Sequence, residues 1–293
     1  MNGNEILGAS LALGSAAIWA VSVILFKKSE AASPTALNLF KNTSASILLL
    51  LTLVFTGVEL DGLSTHDVML LSISGVLGIS LADTLVFTAL RKLGASMLSI
   101  VDLLYAPTIT LLSVLFLGES LSPMFALGAV LIVGGVAIAT FQRSADVPKE
   151  LWPGIAAGIA GIVTMAIGVV IAKPVLAHAP LVEVTTIRLL AGVVGQLGWI
   201  TLVPKHREAL SILRPSKVWI TLLPASVLGA YLAMLLWLGG FKYADASLAS
   251  ILNQMAAVFV LILARIFLGE ELGLRRSLGA ACALAGAVVV VAL

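Results

Sequence analysis

The sequence predicts an all-α membrane protein in which ten transmembrane helices form two inverted five-helix repeats. Three observations support this fold class. The 293 residues are 60% hydrophobic and only 11% charged, whereas soluble globular domains carry about 25% charged residues. Long apolar runs recur along the whole chain, with short polar segments between them. The chain also resembles itself at an offset of 151 residues, which indicates an internal duplication.

Ten apolar runs are long enough to cross a membrane as helices. A crossing takes about 17 to 25 predominantly apolar residues, and each of these runs has that length with few charges. In chain order they are Leu7–Phe26, Leu37–Phe55, Val68–Leu90, Ala95–Leu117, Met124–Phe141, Gly154–Ile171, Val182–Val203, Val218–Phe241, Ala246–Leu268 and Ser277–Leu293. A spanning β-barrel would instead show alternating segments of about ten residues, and continuous runs such as Ile47 to Val54 contradict that pattern.

The duplication is carried by distinctive residues as well as by apolar ones. Aligned without a gap at the offset of 151, residues 76–135 match their counterparts at 21 of 60 positions. The run VLG at residue 76 returns at residue 227, and FLGE at residue 116 returns at residue 267. An offset of 146 relates the front parts of the two halves. The repeated unit therefore contains five helices.

An odd number of helices per unit forces the second unit to enter the membrane from the opposite side. Inverted repeats of this kind are typical of secondary transporters, in which the substrate site lies near the membrane midplane between the repeats. We therefore divide the chain into a first five-helix repeat at 1–141, a linker at 142–151 and a second five-helix repeat at 152–293.

Short motifs at equivalent places of the two halves point to a family. Helices 4 and 9 open with Ala-Ser at residues 95 and 246, end with Leu-Gly-Glu and are followed by a further Leu-Gly. Nearly the whole chain thereby resembles the EamA-type ten-helix members of the drug/metabolite transporter superfamily. Lys41 lies where that family usually has an arginine after an aromatic residue, and helix 7 carries Arg188. The resemblance implies transport of a small molecule, since such members move amino acids, other metabolites, sugars or drugs.

The basic residues of the loops are unevenly divided between the two membrane faces. The loops after helices 1, 3, 5, 7 and 9 lie on one face, which we call the odd-loop face. They carry twelve basic residues: Lys27, Lys28, Arg91, Lys92, Arg143, Lys149, Lys205, Arg207, Arg214, Lys217, Arg275 and Arg276. The other face has Lys173 and Lys242. The positive-inside rule therefore predicts a cytoplasmic odd-loop face with both termini outside, although relatives usually keep their termini in the cytoplasm.

Three charged residues are predicted to meet inside the membrane. A charged side chain at the centre of a spanning helix costs about 3 kcal/mol on insertion scales, so it usually faces a cavity or a partner. Asp83 and Asp102 lie at similar depths on either side of the turn between helices 3 and 4, and Lys41 enters from the same face. Together they would keep one negative charge, able to hold a proton or attract a cationic group. A static charge network that fixes helix packing is the open alternative.

Further polar residues in the helices are candidates for contacts with a substrate. The neutral ones are Asn38, Asn42, Asn253 and Gln254. The second half has no acidic pair equivalent to Asp83 and Asp102. Arg188 is therefore alone at its position in helix 7 and can bind a substrate carboxylate. Pairing with Glu183 or capping of a neighbouring helix are open alternatives for Arg188.

Aromatic residues in helices 1, 4 and 8 are candidates for the wall of a pocket. They are Trp19, Tyr105, Tyr231 and Trp237. Aromatic faces suit an organic solute, although packing and anchoring at the membrane interface are the commoner roles. Pro107 predicts a break in helix 4 that helix 9 lacks, because Val258 takes its place there.

The sequence as a whole predicts a secondary active transporter of the cell membrane. Its substrate is expected to be a small organic metabolite such as an amino acid or a drug-like solute, moved by alternating access with protons as the candidate coupling ion. A channel or facilitative pore for small polar solutes is the alternative. The expected partners are the small-molecule substrate and the lipid bilayer.

Other classes of function find little support in the sequence. No nucleophile and base lie together, because the three histidines fall in separate loops, and the single cysteine leaves no cysteine metal site. A phosphate-cradling loop is missing as well, so no enzyme activity and no cofactor are expected. The basic residues flank membrane segments and form no continuous patch, which argues against nucleic acid.

Overall fold

The computed structural model describes residues 3–57, 62–118, 124–140, 148–244, 246–271 and 273–292. Helices account for most of these residues, and none of them lies in a strand. Positions 142–147 of the predicted linker and Glu119, in the first Leu-Gly-Glu motif, lie outside the described residues.

The helices group into five stretches in each repeat. In the first repeat they are α1 (Gly3–Lys28), α2 (Pro34–Thr56), α3 (Thr65–Gly75, Val76–Leu81 and Ala82–Leu93), α4 (Ala95–Asp102 and Tyr105–Leu117) and α5 (Phe125–Thr140). In the second repeat they are α6 (Leu151–His178), α7 (Leu181–Leu202), α8 (Trp219–Ser226, Val227–Ala233 and Met234–Tyr243), α9 (Ala246–Leu268) and α10 (Leu274–Ala292). Each stretch overlaps its predicted run, so the predicted all-α class is confirmed.

Apolarity matches a membrane location for these helices. Seven stretches of the described residues are long and apolar enough to cross a bilayer, and α5 and α9 contain the shorter apolar segments Leu127–Ala139 and Leu252–Leu268. Large apolar side chains point outward, such as Phe55, which is 85% exposed. A short 3-10 helix at Pro204–Leu213 lies between α7 and α8. This helix was not predicted, because its many polar residues do not form an apolar run.

The inversion of the two repeats is visible where α5 packs on α10. A β-carbon added to Gly135 would lie 2.5 Å from the carbonyl oxygen of Gly279, and one added to Gly286 would lie 2.6 Å from that of Gly128. Gly135 and Gly286 are equivalent at the offset of 151, as are Gly128 and Gly279. The two contacts are therefore copies of each other, which requires equivalent helices to run antiparallel around a two-fold axis.

Both α3 and α8 contain a wide π-helical turn at the repeated VLG run. The turns are Val76–Leu81 and Val227–Ala233. Gly78 in the first turn packs against Gly168 of α6, and Gly229 in the second packs against Ser22 of α1. Such turns are rare and are frequently found at functional sites. They were not predicted, because apolarity carries no information about hydrogen-bond pitch.

The turn between α3 and α4 is very tight. Gly94 has a φ of 81°, a conformation that glycine adopts without steric cost. Its backbone amide donates to the carbonyl oxygen of Leu90 at 3.1 Å, which closes the end of α3. Since α4 begins at the next residue, Asp83 and Asp102 lie on adjacent helices at similar depths.

Candidate functional site

A central cavity of about 150 Å³ lies between the two repeats. Helices α1, α2, α3, α4, α6, α8 and α9 contribute to its wall. Eight of the predicted candidates line it: Lys41, Asp83, Asp102, Trp19, Tyr105, Trp237, Asn253 and Gln254. Its lining includes Phe26 and Ala95, which lie near the odd-loop face and are both fully buried.

Lys41 and Asp83 form a buried ion pair at the cavity. The Nζ atom of Lys41 donates to Oδ2 of Asp83 at 2.5 Å. Lys41 is 1% exposed and Asp83 is 7% exposed, and the same ammonium lies 5.8 Å from the ring centroid of Phe87. Lys41 therefore already has an anionic and an aromatic partner from α3.

Asp102 reaches the same cavity without joining that pair. It is the last residue of the first segment of α4 and is partly exposed, although its helix neighbour Val101 is fully buried. Its carboxylate has no hydrogen bond or ion pair within the described parts of the chain. The predicted meeting of three charges thus occurs as one ion pair and one separate carboxylate around a shared space.

A break in α4 places Asp102 and Tyr105 at the cavity. The helix is interrupted between Asp102 and Tyr105, whereas α9 runs continuously from Ala246 to Leu268. Pro107 has no backbone N–H and cannot donate to the carbonyl oxygen of Leu103. The break predicted for one repeat only is therefore present.

Aromatic residues from three helices form part of the cavity wall. Trp19 comes from α1, Tyr105 from α4 and Trp237 from α8. The rings of Tyr105 and Trp237 lie 6.4 Å apart between centroids and are inclined by 47°. Tyr105 is only 6% exposed, and its hydroxyl has no hydrogen-bond partner in the described residues. A buried hydroxyl without a partner is costly, so this group is available to a ligand or to water.

The second repeat contributes amides where the first has a carboxylate. Asn253 of α9 occupies the position equivalent to Asp102, and Gln254 follows it. The Nδ2 atom of Asn253 is buried and has no hydrogen-bond partner among the described residues. The cavity is thus electrostatically asymmetric although its backbone is duplicated.

The two asparagines of α2 support the site from behind rather than lining it. Asn38 donates from Nδ2 to the carbonyl oxygens of Ile79 at 2.9 Å and Ser80 at 3.0 Å, in the wide turn of α3. Asn42 donates to the side-chain oxygen of Asn38 at 2.7 Å. Both asparagines are fully buried. Their amides are used to hold the turn that precedes Asp83.

Arg188 and Tyr231 also lie outside the cavity wall. The Nε atom of Arg188 donates to the hydroxyl of Ser74 at 2.9 Å, and that hydroxyl donates to the carbonyl oxygen of Gly168 at 2.5 Å. Arg188 is 2% exposed. The hydroxyl of Tyr231 lies 2.8 Å from that of Thr52. These two residues therefore do not line this cavity, because sequence gives depth in the membrane but not the direction of a side chain.

Several residues that line the cavity were not predicted from the sequence. Ser15 and Ser99 line the cavity, and Ser15 donates to the carbonyl oxygen of Ala233 at 2.9 Å. Ser99 is identical to Ser250 at the offset of 151 and could have been noticed on that ground. Met165 and the other apolar lining residues give no signal in an apolar sequence.

Glu270 links the two repeats at the odd-loop face. Its Oε1 and Oε2 atoms accept hydrogen bonds from the backbone amides of Ala95 and Ser96, both at 2.9 Å. The Leu-Gly-Glu motif that ends α9 therefore caps the Ala-Ser motif that opens α4. A carboxylate suits this place because a helix N-terminus has unpaired N–H groups and a positive dipole end.

Comparison with known proteins gives a family and a fold. The model of the EamA-like transporter family matches residues 6–141 and 152–292. A solved chain described only as "Crystal structure of protein" has a TM-score of 0.73 at 19% identity, over 97% of this chain and 96% of that chain. At this identity the likeness concerns the fold. No curated protein matches.

Proposed function

The chain belongs to the EamA-like transporter family, and we propose that it is a secondary active transporter that moves a small organic solute through the central cavity by alternating access. The family places it among the membrane transporters of the drug/metabolite superfamily, a transporter family rather than an enzyme family. The proposal concerns the mechanism, the solute and the coupling ion.

The observation that carries the proposal is that one cavity is shared by both inverted repeats. Asp102 and Asn253 occupy equivalent positions of the two repeats and line the same space. In inverted-repeat transporters the site lies at the repeat interface, and access alternates as one repeat moves against the other. A channel needs a continuous pore, whereas Phe26 and Ala95, the lining residues near the odd-loop face, are fully buried.

Alternating access requires contacts that can separate and helices that can bend, and two features of the structure fit these requirements. The bonds from Ala95 and Ser96 to Glu270 join the two repeats at the odd-loop face. The wide turns of α3 and α8 lie at equivalent depths and interrupt regular α-helical bonding in the helices that line the cavity. We propose that the repeats separate at Glu270 and bend at these turns when the cavity opens to that face.

Asp102 is the proposed carrier of a coupling proton. An ionised carboxylate inside an apolar site is unfavourable without a cation, and Asp102 has no ion pair among the residues that the structure describes. The other ionisable groups of the cavity wall are the paired Lys41 and Asp83 and the hydroxyl of Tyr105. Asp102 would bind a proton when the cavity is open to one face of the membrane and release it when the cavity is open to the other. This would link solute movement to a proton gradient.

Transport by purified protein in liposomes tests the mechanism. We expect solute uptake that saturates, accelerates with solute preloaded on the far side, and responds to an imposed pH gradient. Asp102→Asn is expected to abolish the response to the gradient, while Glu208→Gln, a matched change at an exposed surface position, retains it. Flux that neither saturates nor shows counterflow would assign the protein to the channel class.

We also propose that the odd-loop face is cytoplasmic and that both termini lie outside the cell membrane. Twelve basic residues on that face against two on the other support this orientation. A reporter fused to the C-terminus that fluoresces only in the cytoplasm tests it. A fluorescent fusion would reverse the assignment if a cysteine placed in the α2–α3 loop also failed to react with a membrane-impermeant thiol reagent added outside.

A further inference from the structure

The cavity combines a carboxylate that is unpaired within the described part of the chain with an aromatic wall, and we propose that its substrate is a small organic ammonium ion with an apolar body of about one aromatic ring. This inference rests on the proposed function and narrows it to a class of substrate. Four properties of the cavity carry it: net charge, aromatic lining, free polar groups and size.

The charged residues of the wall leave one negative charge for the ligand to neutralise. Lys41 supplies one positive charge and Asp83 and Asp102 supply two negative ones, so the sum over the lining residues is −1. Arg188 lies behind the wall, where its charge acts on Asp83 and Tyr105. Lys41 and Asp83 satisfy each other at 2.5 Å. Asp102 is therefore the carboxylate that an ammonium group would approach, and a charge-assisted hydrogen bond between them is among the stronger polar contacts in proteins.

The aromatic wall favours the same charge. Trp19, Tyr105 and Trp237 line the cavity, and the faces of such rings attract ammonium groups, tryptophan most strongly. The hydroxyl of Tyr105 is buried and unpartnered among the described residues, so it can accept a hydrogen bond from an ammonium N–H. Carboxylate, hydroxyl and ring faces together form a site for a cation with an apolar body.

The charged side chains of the cavity disfavour a substrate that also carries a carboxylate, which would find only neutral donors such as the unpartnered Nδ2 atom of Asn253 among the described lining residues. Lys41 is the only cationic side chain among the described lining residues, and a ligand carboxylate would have to displace Asp83 from it. Asp83 would then be left buried without a partner, which is costly. Arg188 lies behind the cavity wall, where its Nε atom donates to Ser74 and its buried Nη1 atom has no hydrogen-bond partner among the described residues. An amine is therefore expected to bind better than the amino acid of the same skeleton.

The size of the cavity limits the body of the ligand. A volume of about 150 Å³ is that of a cavity known to hold benzene, and pockets for drug-sized ligands span about 300–1,000 Å³. A primary amine with a single ring and a short linker is slightly larger than benzene and smaller than a drug-sized ligand, so it suits a cavity of this volume.

Three probes with one ring and different charges test the class by calorimetric titration of the full chain in detergent. They are 2-phenylethylamine as the cation, 2-phenylethanol as the neutral analogue and phenylalanine as the zwitterion. We expect the cation to bind most tightly. Tighter binding of the alcohol or of phenylalanine, or no binding of the cation, would overturn the proposal.

Variants locate the binding charge. Asp102→Asn is expected to weaken binding of 2-phenylethylamine about 10- to 100-fold and to leave the alcohol unaffected, while Glu208→Gln changes neither. Adding Asn253→Asp to Asp102→Asn returns a carboxylate to the equivalent position of the other repeat, so it is expected to restore much of the binding. Unchanged affinity of a folded Asp102→Asn protein, or no recovery in the double variant, would contradict the assignment.

The same ligands separate this inference from the proposed function. If 2-phenylethylamine binds through Asp102 but shows no counterflow in liposomes, the substrate class holds and the transport mechanism fails. If a neutral or anionic solute shows counterflow that Asp102→Asn leaves intact, the mechanism holds and the substrate class fails.

Discussion

The carboxylate of Glu270 accepts a hydrogen bond from the backbone amide of Ala95 at 2.9 Å, and through it the end of α9 caps the start of α4. Glu270 belongs to the second repeat and Ala95 to the first, so the bond crosses the repeat interface. This contact explains in part why the halves share the Leu-Gly-Glu and Ala-Ser motifs, because Leu-Gly-Glu supplies the acceptor and Ala-Ser supplies the donors.

Removing this cap is expected to destabilise the protein. Glu270→Ala leaves two amides of α4 without their charged acceptor, a loss of about 1–3 kcal/mol that lowers the unfolding temperature in detergent. Glu271→Ala removes an exposed carboxylate next to it and serves as the control, with little change expected. Equal unfolding temperatures for the two variants would show that the cap contributes nothing.

The helices could be predicted from the sequence because a bilayer imposes their length. Each apolar run became a helix, and the odd number per repeat required the inversion that Gly135 and Gly286 display in α5 and α10. The wide turns of α3 and α8 could not be predicted, since Val76 and Val227 are as apolar in a wide turn as in a regular one.

The candidate site was predictable in depth but not in direction. Lys41, Asp83 and Asp102 were expected to meet because they lie at one level of the membrane, and all three line one cavity. Arg188 lies inside a helix as well, but it turns toward Ser74. Side-chain direction depends on how helices pack, and a run of apolar residues with little periodicity does not reveal it.

A pair of neighbouring glycines in α5 gives a second prediction. Gly135→Ala places a methyl group 2.5 Å from the carbonyl oxygen of Gly279, and relief of this overlap must move α5 away from α10. Overpacking of this kind costs about 1–3 kcal/mol, so the unfolding temperature should fall. Gly134→Ala is the matched control, because nothing lies within 4 Å of its added methyl group. Equal loss in both variants would mean that helix propensity or lipid contact, not the α5–α10 contact, sets the effect.

The buried ion pair of Lys41 and Asp83 predicts a compensating double variant. Asp83→Asn or Lys41→Met alone leaves a buried charge without its partner and is expected to cost about 3–5 kcal/mol. The double variant removes both charges and should recover most of that stability in a denaturation assay. A double variant no more stable than either single one would contradict the coupling.

Transport by the same double variant decides between the two roles considered for this pair. A static network that only fixes packing predicts that the double variant regains transport along with stability. Participation in the transport cycle predicts recovered stability without recovered transport.

Two tyrosines in different surroundings give a prediction with opposite outcomes. The hydroxyl of Tyr105 lines the cavity without a hydrogen-bond partner in the described residues, whereas that of Tyr231 lies 2.8 Å from the hydroxyl of Thr52. Tyr105→Phe is therefore expected to keep or raise the unfolding temperature and to weaken binding of 2-phenylethylamine. Tyr231→Phe should lose about 0.5–1.5 kcal/mol of stability and leave binding unchanged.

Both quantities are measured on each variant, by thermal unfolding and by titration calorimetry in the same detergent. A loss of stability in Tyr105→Phe would reveal a hidden structural partner for its hydroxyl. Unaltered ligand affinity in that variant would remove the hydroxyl from the binding site and leave Asp102 and the ring faces to bind the ammonium group. If Tyr231→Phe also weakened binding, the effect of either tyrosine would have to act through the packing of the helices around the cavity.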